Sequence, residues 1–289
     1  MTFIDTNLDW LIISDKLSRW GSLSSTAITA GDTPLNNMIS SQQPTDRCRF
    51  IDLNSPIVFT VDLTAAKAAQ GVSVIRCLVL THNNASSAGT FSVTGDLGYS
   101  KLNKPLWPST DSGDYLKIHS YIYEPQGIPD NVFTITINDP APRKAARNAA
   151  GYATAAWFEI GNLIVDYGIS SSIGNAIRQQ GTVSEGQDEE QKITTSEGGA
   201  VFPRIRPRSG RKSFTLRFLN ESAYRGGMAK LRRDVGISQA IMLIEDVGDT
   251  NGNGFQMQKI TYGLLESLQD VSLSDNNNFE VVVKIREML

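Results

Sequence analysis

Lys212–Leu219, KSFTLRFL, alternates apolar and polar residues with the period of a half-buried β-strand. Asn220–Glu221–Ser222 follows as a helix opening, and the pattern through Met228, Leu231 and Arg232 predicts one helix that stops near Gly236. Gln239–Asp246 (QAIMLIED) is short and nearly all apolar, as a buried strand is. Thr261–Leu268 and Phe279–Arg286 (FEVVVKIR) predict two more strands, with a turn at Asp275–Asn278 between them. This order of strand, helix and three strands decides the fold: a β scaffold with a single helix. No residue pattern in the block carries chemistry.

The same strand period runs through the first half. Pro56–Leu63 (PIVFTVDL), Tyr115–Tyr123 (YLKIHSYIY) and Asn131–Asn138 (NVFTITIN) alternate. Val72–Thr81 (VSVIRCLVLT) is β-branched and apolar for most of its length, and it runs into a turn-rich loop, HNNASSAG, at 82–89. Leu11–Ile13, Ala27–Thr29, Arg47–Leu53, Thr90–Thr94 and Thr154–Val165 complete the set, while residues 95–114 read as loop. Strands spaced about 8–12 residues apart predict an antiparallel β-sandwich. After Asp166 the composition changes. Residues 168–200 are rich in Gly, Ser, Gln and acids, and a basic run from Arg204 to Lys212 follows. The boundaries expected are therefore a sandwich over 1–166, an extended acidic/basic arm or long hairpin over 167–210, and a second β module over 211–289.

Bulk numbers narrow the function classes. The chain has 289 residues, 40% hydrophobic and 20% charged, which suits a folded protein of one or two domains. A net charge of −3 and a pI near 5.5 argue against a nucleic-acid partner. No apolar run approaches the roughly 18–20 residues that span a bilayer, so no membrane insertion is expected. MTFIDTNLDWLI carries acids before any base, unlike a secretory leader, so synthesis in the cytoplasm is expected. The two cysteines, Cys48 and Cys77, lack metal-type spacing; they read as buried free thiols, with a disulfide open if their strands are neighbours.

Each chemical motif has a plainer explanation. Asp249, Asn251, Asn253 and Gly254 spell the opening of a calcium loop, but its twelfth position is Ile260, which cannot ligate, so a hairpin turn is the better reading. Arg204, Arg206 and Arg208 alternate with Ile205 and Pro207 and lack an aromatic ladder; with Arg211 and Lys212 they suit pairing with the acidic stretch Glu185–Glu190, within the chain or in a neighbouring copy. His82 and His119 are the only histidines, and neither lies in a catalytic motif. Trp10, Trp20, Trp107, Trp157, Tyr115, Tyr121 and Tyr123 suit core packing or a sugar-binding face, with Trp107 in its PLWP loop the one expected to be exposed. No catalytic, cofactor-binding or metal-binding residue is assigned, no cofactor is expected, and the chain does not read as an enzyme.

Two segments resemble known families. Leu35–Ile39 (LNNMI), Arg47–Phe50 (RCRF), Val58–Leu63 (VFTVDL), Val74–Asn84 (VIRCLVLTHNN) and Thr90–Val93 (TFSV) resemble discoidin-like (galactose-binding-like) jelly rolls of bacteriophage tail proteins, over roughly residues 10–165. Phe50 stands where that family usually has tryptophan, displaced by a position or two, and Thr64 where it has glycine. Gly161–Val165 (GNLIV), Arg211–Asn220 (RKSFTLRFLN), Ile241–Asp246 (IMLIED), Tyr262–Leu265 (YGLL) and Phe279–Glu287 (FEVVVKIRE) resemble the β-plus-one-helix module of tail tubes and distal tail hubs of long-tailed (siphovirus-like) phages. The resemblance implies an all-β chain, mainly β with one or two short helices: a jelly-roll sandwich, then a β-barrel-like module with one α-helix. It implies a structural virion protein of a tail tip or baseplate, located in the virion tail. Such a protein forms homo-oligomeric rings and docks other phage tail proteins. The alternative is a carbohydrate- or receptor-binding tail module that meets a host-surface glycan through the sandwich loops.

Overall fold

The computed structural model describes residues 10–27, 29, 33–40, 47–53, 55–82, 84–106, 118–139, 141–142, 157–170, 176–178, 184–188, 191–195, 201–205, 209–218, 221–237, 239–245, 247, 260–268, 272–274 and 278–288. Two units divide the chain: one holds residues 7–172 with 241–260, the other holds 1–6, 173–240 and 261–289. The protein is mainly β, with antiparallel sheets and short helices.

The first unit runs β1 (Leu11–Ser14), α1 (Lys16–Arg19), β2 (Ser22–Ser25), α2 (Asn37–Ser40), β3 (Cys48–Phe50), β4 (Ile57–Asp62), α3 (Thr64–Gln70), β5 (Ile75–His82), β6 (Thr90–Gly95), β7 (Ser100–Pro105), β8 (Ile118–Ile128), β9 (Val132–Asn138), β10 (Phe158–Asp166) and β11 (Ile169–Ser170). Five strands form one sheet in the order β2-β4-β9-β6-β7, and four form another in the order β3-β10-β5-β8. From β2 to β10 the chain passes from one sheet to the other at every step but β6 to β7, so this is a sandwich with jelly-roll crossings.

Strand alternation dictates its core. Ile57, Phe59 and Val61 of β4, Phe91 and Val93 of β6, and Phe133, Ile135 and Ile137 of β9 all point inward and are buried. Across from them lie Phe50, Leu78, Leu80, Ile122, Phe158 and Ile160 of the four-stranded sheet. Outward neighbours on the five-stranded sheet are mostly Ser and Thr, and Thr60 and Thr134 meet there at 3.3 Å between hydroxyls. All nine residues of β10 are buried, because β1, α1 and α2 pack against its second face. Such a strand reads as a continuous apolar run, which Thr154–Val165 resembles more than it resembles alternation.

Several elements were not visible as such in the sequence. β7 lies within residues read as loop, α3 within a stretch not read as helix, and α2 begins inside Leu35–Ile39, where no helix was expected. α3 is an Ala-rich run stopped by Gly71, whose φ of 63° places it in the left-handed region where a side chain is unfavourable. Outside the sandwich sheets, β1 pairs with β11 and with residues 241–244, the part of a later strand that belongs to this unit.

The second unit contains β12 (Ala176–Arg178), β13 (Ser184–Asp188), β14 (Gln191–Thr195), β15 (Val201–Ile205), β16 (Ser209–Phe218), α4 (Glu221–Gly226), α5 (Met228–Asp234), the first residue of β17 (Ala240–Ile244), most of β18 (Ile260–Leu268), β19 (Ser272–Ser274) and β20 (Asn278–Glu287). β20 lies between β16 on one side and β18 and β19 on the other; β12 and β13 share the far edge of β16. The sheet is open, and no barrel closes among the described residues. Phe214 and Leu216 of β16 and Val281, Val283 and Ile285 of β20 are buried, and Tyr224 of α4 stacks on Phe279 with ring centres 5.2 Å apart. The single helix expected here is two short ones, broken at Gly227 because the Gly226–Gly227 pair gives the backbone no reason to stay helical. Gly236, with φ 62°, ends the second where the sequence placed its stop. β14 and β15 form a two-stranded sheet of their own, within the stretch read as an arm.

Candidate functional site

The histidines are spoken for by structure. Thr81 and His119 face each other across β5 and β8, with His119 Nδ1 and the Thr81 hydroxyl 2.9 Å apart. His82 Nε2 lies 2.8 Å from the Ser120 hydroxyl and 3.1 Å from the Leu106 carbonyl. Both rings are buried, so they tie strand ends together rather than face a substrate. Asp249, Asn251, Asn253 and Gly254 lie outside the described residues; Ile260 is buried hydrocarbon at the start of β18. Among the described residues no group of three or more His, Cys, Asp or Glu could hold a metal ion.

Cys48 and Cys77 are free and buried. Both strands flank β10, but Cys48 is opposite Ile160 and Cys77 opposite Asp166. Six residues of strand separate those registers, about 20 Å at the usual rise, which no disulfide spans. Burial pushes the Cys48 thiol up to about 12, and it raises Cys77 further, with Asp166 adding to the effect.

Of the basic run, Arg206 and Arg208 lie outside the described residues, as do Glu189 and Glu190. The register of β13 on β16 sets Glu185 opposite Lys212 and Gly186 opposite Arg211, so the acidic and basic stretches do meet within the chain. Arg211 reaches Glu266 at 3.0 Å, and Lys212 is buried.

The aromatics divide sharply. Trp10 and Tyr121 are buried, Tyr123 is half-buried, and Trp107 and Tyr115 lie outside the described residues. Trp20 is 56% exposed, with Lys16 Nζ 6.0 Å from its ring. Trp157 is 37% exposed and belongs to the best-built polar cluster among the described residues.

That cluster follows from the pairing of β3 with β10. Cys48 and Phe50 point into the core, so Arg47 and Arg49 point outward; Phe158 and Ile160 point in, so Trp157 and Glu159 point outward. Register sets Arg49 directly opposite Glu159. Arg49 Nε donates to Glu159 Oε1 at 2.8 Å, Arg47 Nη1 to Oε2 at 2.6 Å, and the Trp157 indole Nε1 to Oε1 at 2.9 Å. The Arg49 guanidinium also lies over the Trp157 ring, 5.3 Å from its centre. Asn84, buried at the end of the β5 loop, clamps the backbone: its amide donates to the Trp157 carbonyl at 2.8 Å and accepts from the Glu159 N–H at 3.0 Å.

Electrostatics follow from those contacts. Burial works to raise the Glu159 carboxyl, but Arg47 and Arg49 outweigh it and hold the group below the usual glutamate range. Two guanidiniums share one carboxylate, so one positive charge is uncompensated within the trio. Both arginines keep further N–H groups with no partner among the described residues, and their side chains are 29% and 38% exposed. Sequence reasoning singled out Trp107 and passed over this cluster. Its signal was present as two alternating pairs, Arg47 with Arg49 and Trp157 with Glu159, but only register joins them.

No protein-family model matches the sequence, and no curated protein matches it. A solved structure described as "CpGH89CBM32-6 produced by Clostridium perfringens" aligns with a TM-score of 0.32 and 10% identity, over 53% of this chain and 97% of that one.

Proposed function

We propose that the chain is a structural subunit of a phage tail tip or baseplate that acts by ring assembly and by docking other tail proteins. The observation that carries this is the β14–β15 hairpin. It pairs with no third strand among the described residues, and an isolated two-stranded hairpin is only marginally stable in water. A hairpin of this kind gains stability by completing a sheet on another subunit. The fitting counterpart is β13, an edge strand that carries Glu185 and Asp188, whereas the hairpin carries Lys192 and Arg204 directly opposite each other. A β14-to-β13 contact between copies is heterologous, the geometry that closes into a ring. The sequence resemblance to tail hubs supports the same reading.

The test is native mass spectrometry of the intact chain against a variant in which residues 189–207 are replaced by a short Gly–Ser linker. The intact chain is expected to form a defined oligomer that high salt weakens, and the variant is expected to be monomeric with unchanged tryptophan fluorescence. A monomeric intact chain at high micromolar concentration, or an oligomer indifferent to the excision, overturns the proposal.

A second reading, glycan or receptor binding by the sandwich, has one observation in its favour: Trp157 is exposed and held rigid between Arg49, Glu159 and Asn84.

A further inference from the structure

We infer that the Arg47–Arg49–Trp157 surface binds an acidic saccharide, one whose sugar ring carries a carboxylate. The inference rests on the ligand-binding reading of the sandwich and is independent of ring assembly. Three features of the cluster narrow the ligand.

The first is what the fold does not use. Glu159 is fully engaged, with one oxygen taking the Arg47 donor and the other taking Arg49 Nε and the indole N–H. A latch between β3 and β10 needs one guanidinium opposite the carboxylate, and the β3–β10 register supplies Arg49 for that purpose. Arg47 is the second, held in place from behind by Asn37, whose amide donates to the Arg47 carbonyl at 3.2 Å. The remaining N–H groups of the two arginines have no partner among the described residues and are donors a carboxylate could take.

The second is the size of the charge. Within the trio one positive charge remains, which matches a singly charged carboxylate better than a phosphate carrying nearly two charges. The acidic chain as a whole, at net −3, also disfavours a long polyanion such as nucleic acid. The third is the ring. Trp157 presents an aromatic surface whose orientation is fixed by its own N–H, by the guanidinium over it and by the Asn84 clamp on its backbone. A rigid aromatic of this kind offers contact area to the C–H face of a sugar at little entropic cost. A sugar acid satisfies both at once, its carboxylate on the arginine N–H groups and its ring against the indole.

The probe is an oligogalacturonate, with its methyl ester as the neutral counterpart of identical backbone, titrated calorimetrically into the full chain. The free acid is expected to bind about tenfold or more tighter than the ester, since a charged hydrogen bond is worth about that much. Inorganic phosphate in excess is not expected to displace it. Arg47→Gln is expected to abolish the preference for the acid while leaving the thermal transition in place, because Glu159 keeps Arg49 and the indole. Equal binding of acid and ester overturns the inference but leaves the glycan reading standing. No binding of either overturns both. Displacement by phosphate shows an anion site without sugar selectivity and overturns the inference too. The comparison of acid with ester uses the native chain, so it decides the matter even where a variant fails to fold.

Discussion

The sandwich and the β14–β15 hairpin are built from the same antiparallel ladder, yet they stand in opposite situations. In the sandwich, the inner faces of β4, β6 and β9 meet those of β3, β5 and β10, and Phe50, Phe59, Phe91, Phe133 and Phe158 are all essentially inaccessible to water. Its outermost strand, β7, is protected as edge strands commonly are: it is short, carries Lys101 and Lys104, ends in Pro105, and its pairing with β6 is interrupted by a register shift. The hairpin has two strands and no third among the described residues. On the proposed reading, the difference marks where a partner strand docks. Hydrogen bonding alone does not hold strands in water, because each peptide group exchanges one partner for another; burial of a face does. The sandwich supplies that face itself. On the proposed reading, another subunit supplies it to the hairpin.

The sharpest way to break this comparison is to empty the sandwich core. Phe59 is 1% exposed and stacks on Phe50 with ring centres 6.0 Å apart. Phe59→Ala is expected to cost about 3–5 kcal/mol, from lost transfer energy and the cavity left behind. All four tryptophans, Trp10, Trp20, Trp107 and Trp157, fall within the residues of the sandwich unit, so tryptophan fluorescence in a urea titration reads that unit alone. A loss below about 1 kcal/mol would show that inter-sheet packing is not what holds it.

How much of this was legible in the sequence depends on which faces each strand exposes. β4 and β9 were readable because one face is buried and one is not: Ile57, Phe59 and Val61 alternate with Val58, Thr60 and Asp62. β7 was not readable, since Ser100, Leu102, Asn103, Lys104 and Pro105 are exposed and a strand that buries nothing carries no hydrophobic period. β2, Ser22–Ser25, is an edge strand of the same kind and was hidden in a Ser/Thr-rich stretch. α3 did carry its signal, TAAKAAQ followed by Gly71, but the stretch between two clear strands was left unassigned. The helix after β16 was placed correctly at both ends and missed only its break at Gly227. The arginine cluster was illegible for a different reason. Arg49 and Glu159 are 110 residues apart in the chain, and nothing local says that β3 and β10 are partners.

A smaller effect tests whether that cluster is also structural. Glu159→Gln removes the charge that both guanidiniums share, and it is expected to cost about 1–2 kcal/mol, reduced by solvent screening because Arg49 is more than a third exposed. The pH dependence has a definite sign. The folded-state pKa of Glu159 lies below its ordinary value of 4.5, so the stabilisation is complete above that value and is lost as pH falls through the folded pKa. Urea midpoints of the native chain and Glu159→Gln should therefore differ at neutral pH and converge in strong acid. A constant difference across that range would assign the loss to packing rather than to the ion pairs.

The smallest expected effect is none at all, and it sharpens the comparison most selectively. Cys48 and Cys77 are the only cysteines of the chain, and both lie within the sandwich unit, 0% exposed. Burial raises both thiols far above their usual range, so almost no thiolate exists near neutral pH, and no reagent reaches the sulfur while the sheets are closed. With a chromogenic disulfide reagent, the native protein is expected to release no colour, and the unfolded protein two equivalents. The hairpin-excised variant should be equally silent, since the hairpin and its flanks belong to the other unit. Phe59→Ala should react before its tryptophan transition, because a cavity on the inner face lowers the free energy of local opening without full unfolding. Prompt reaction in the excised variant would mean that the sandwich depends on the hairpin after all.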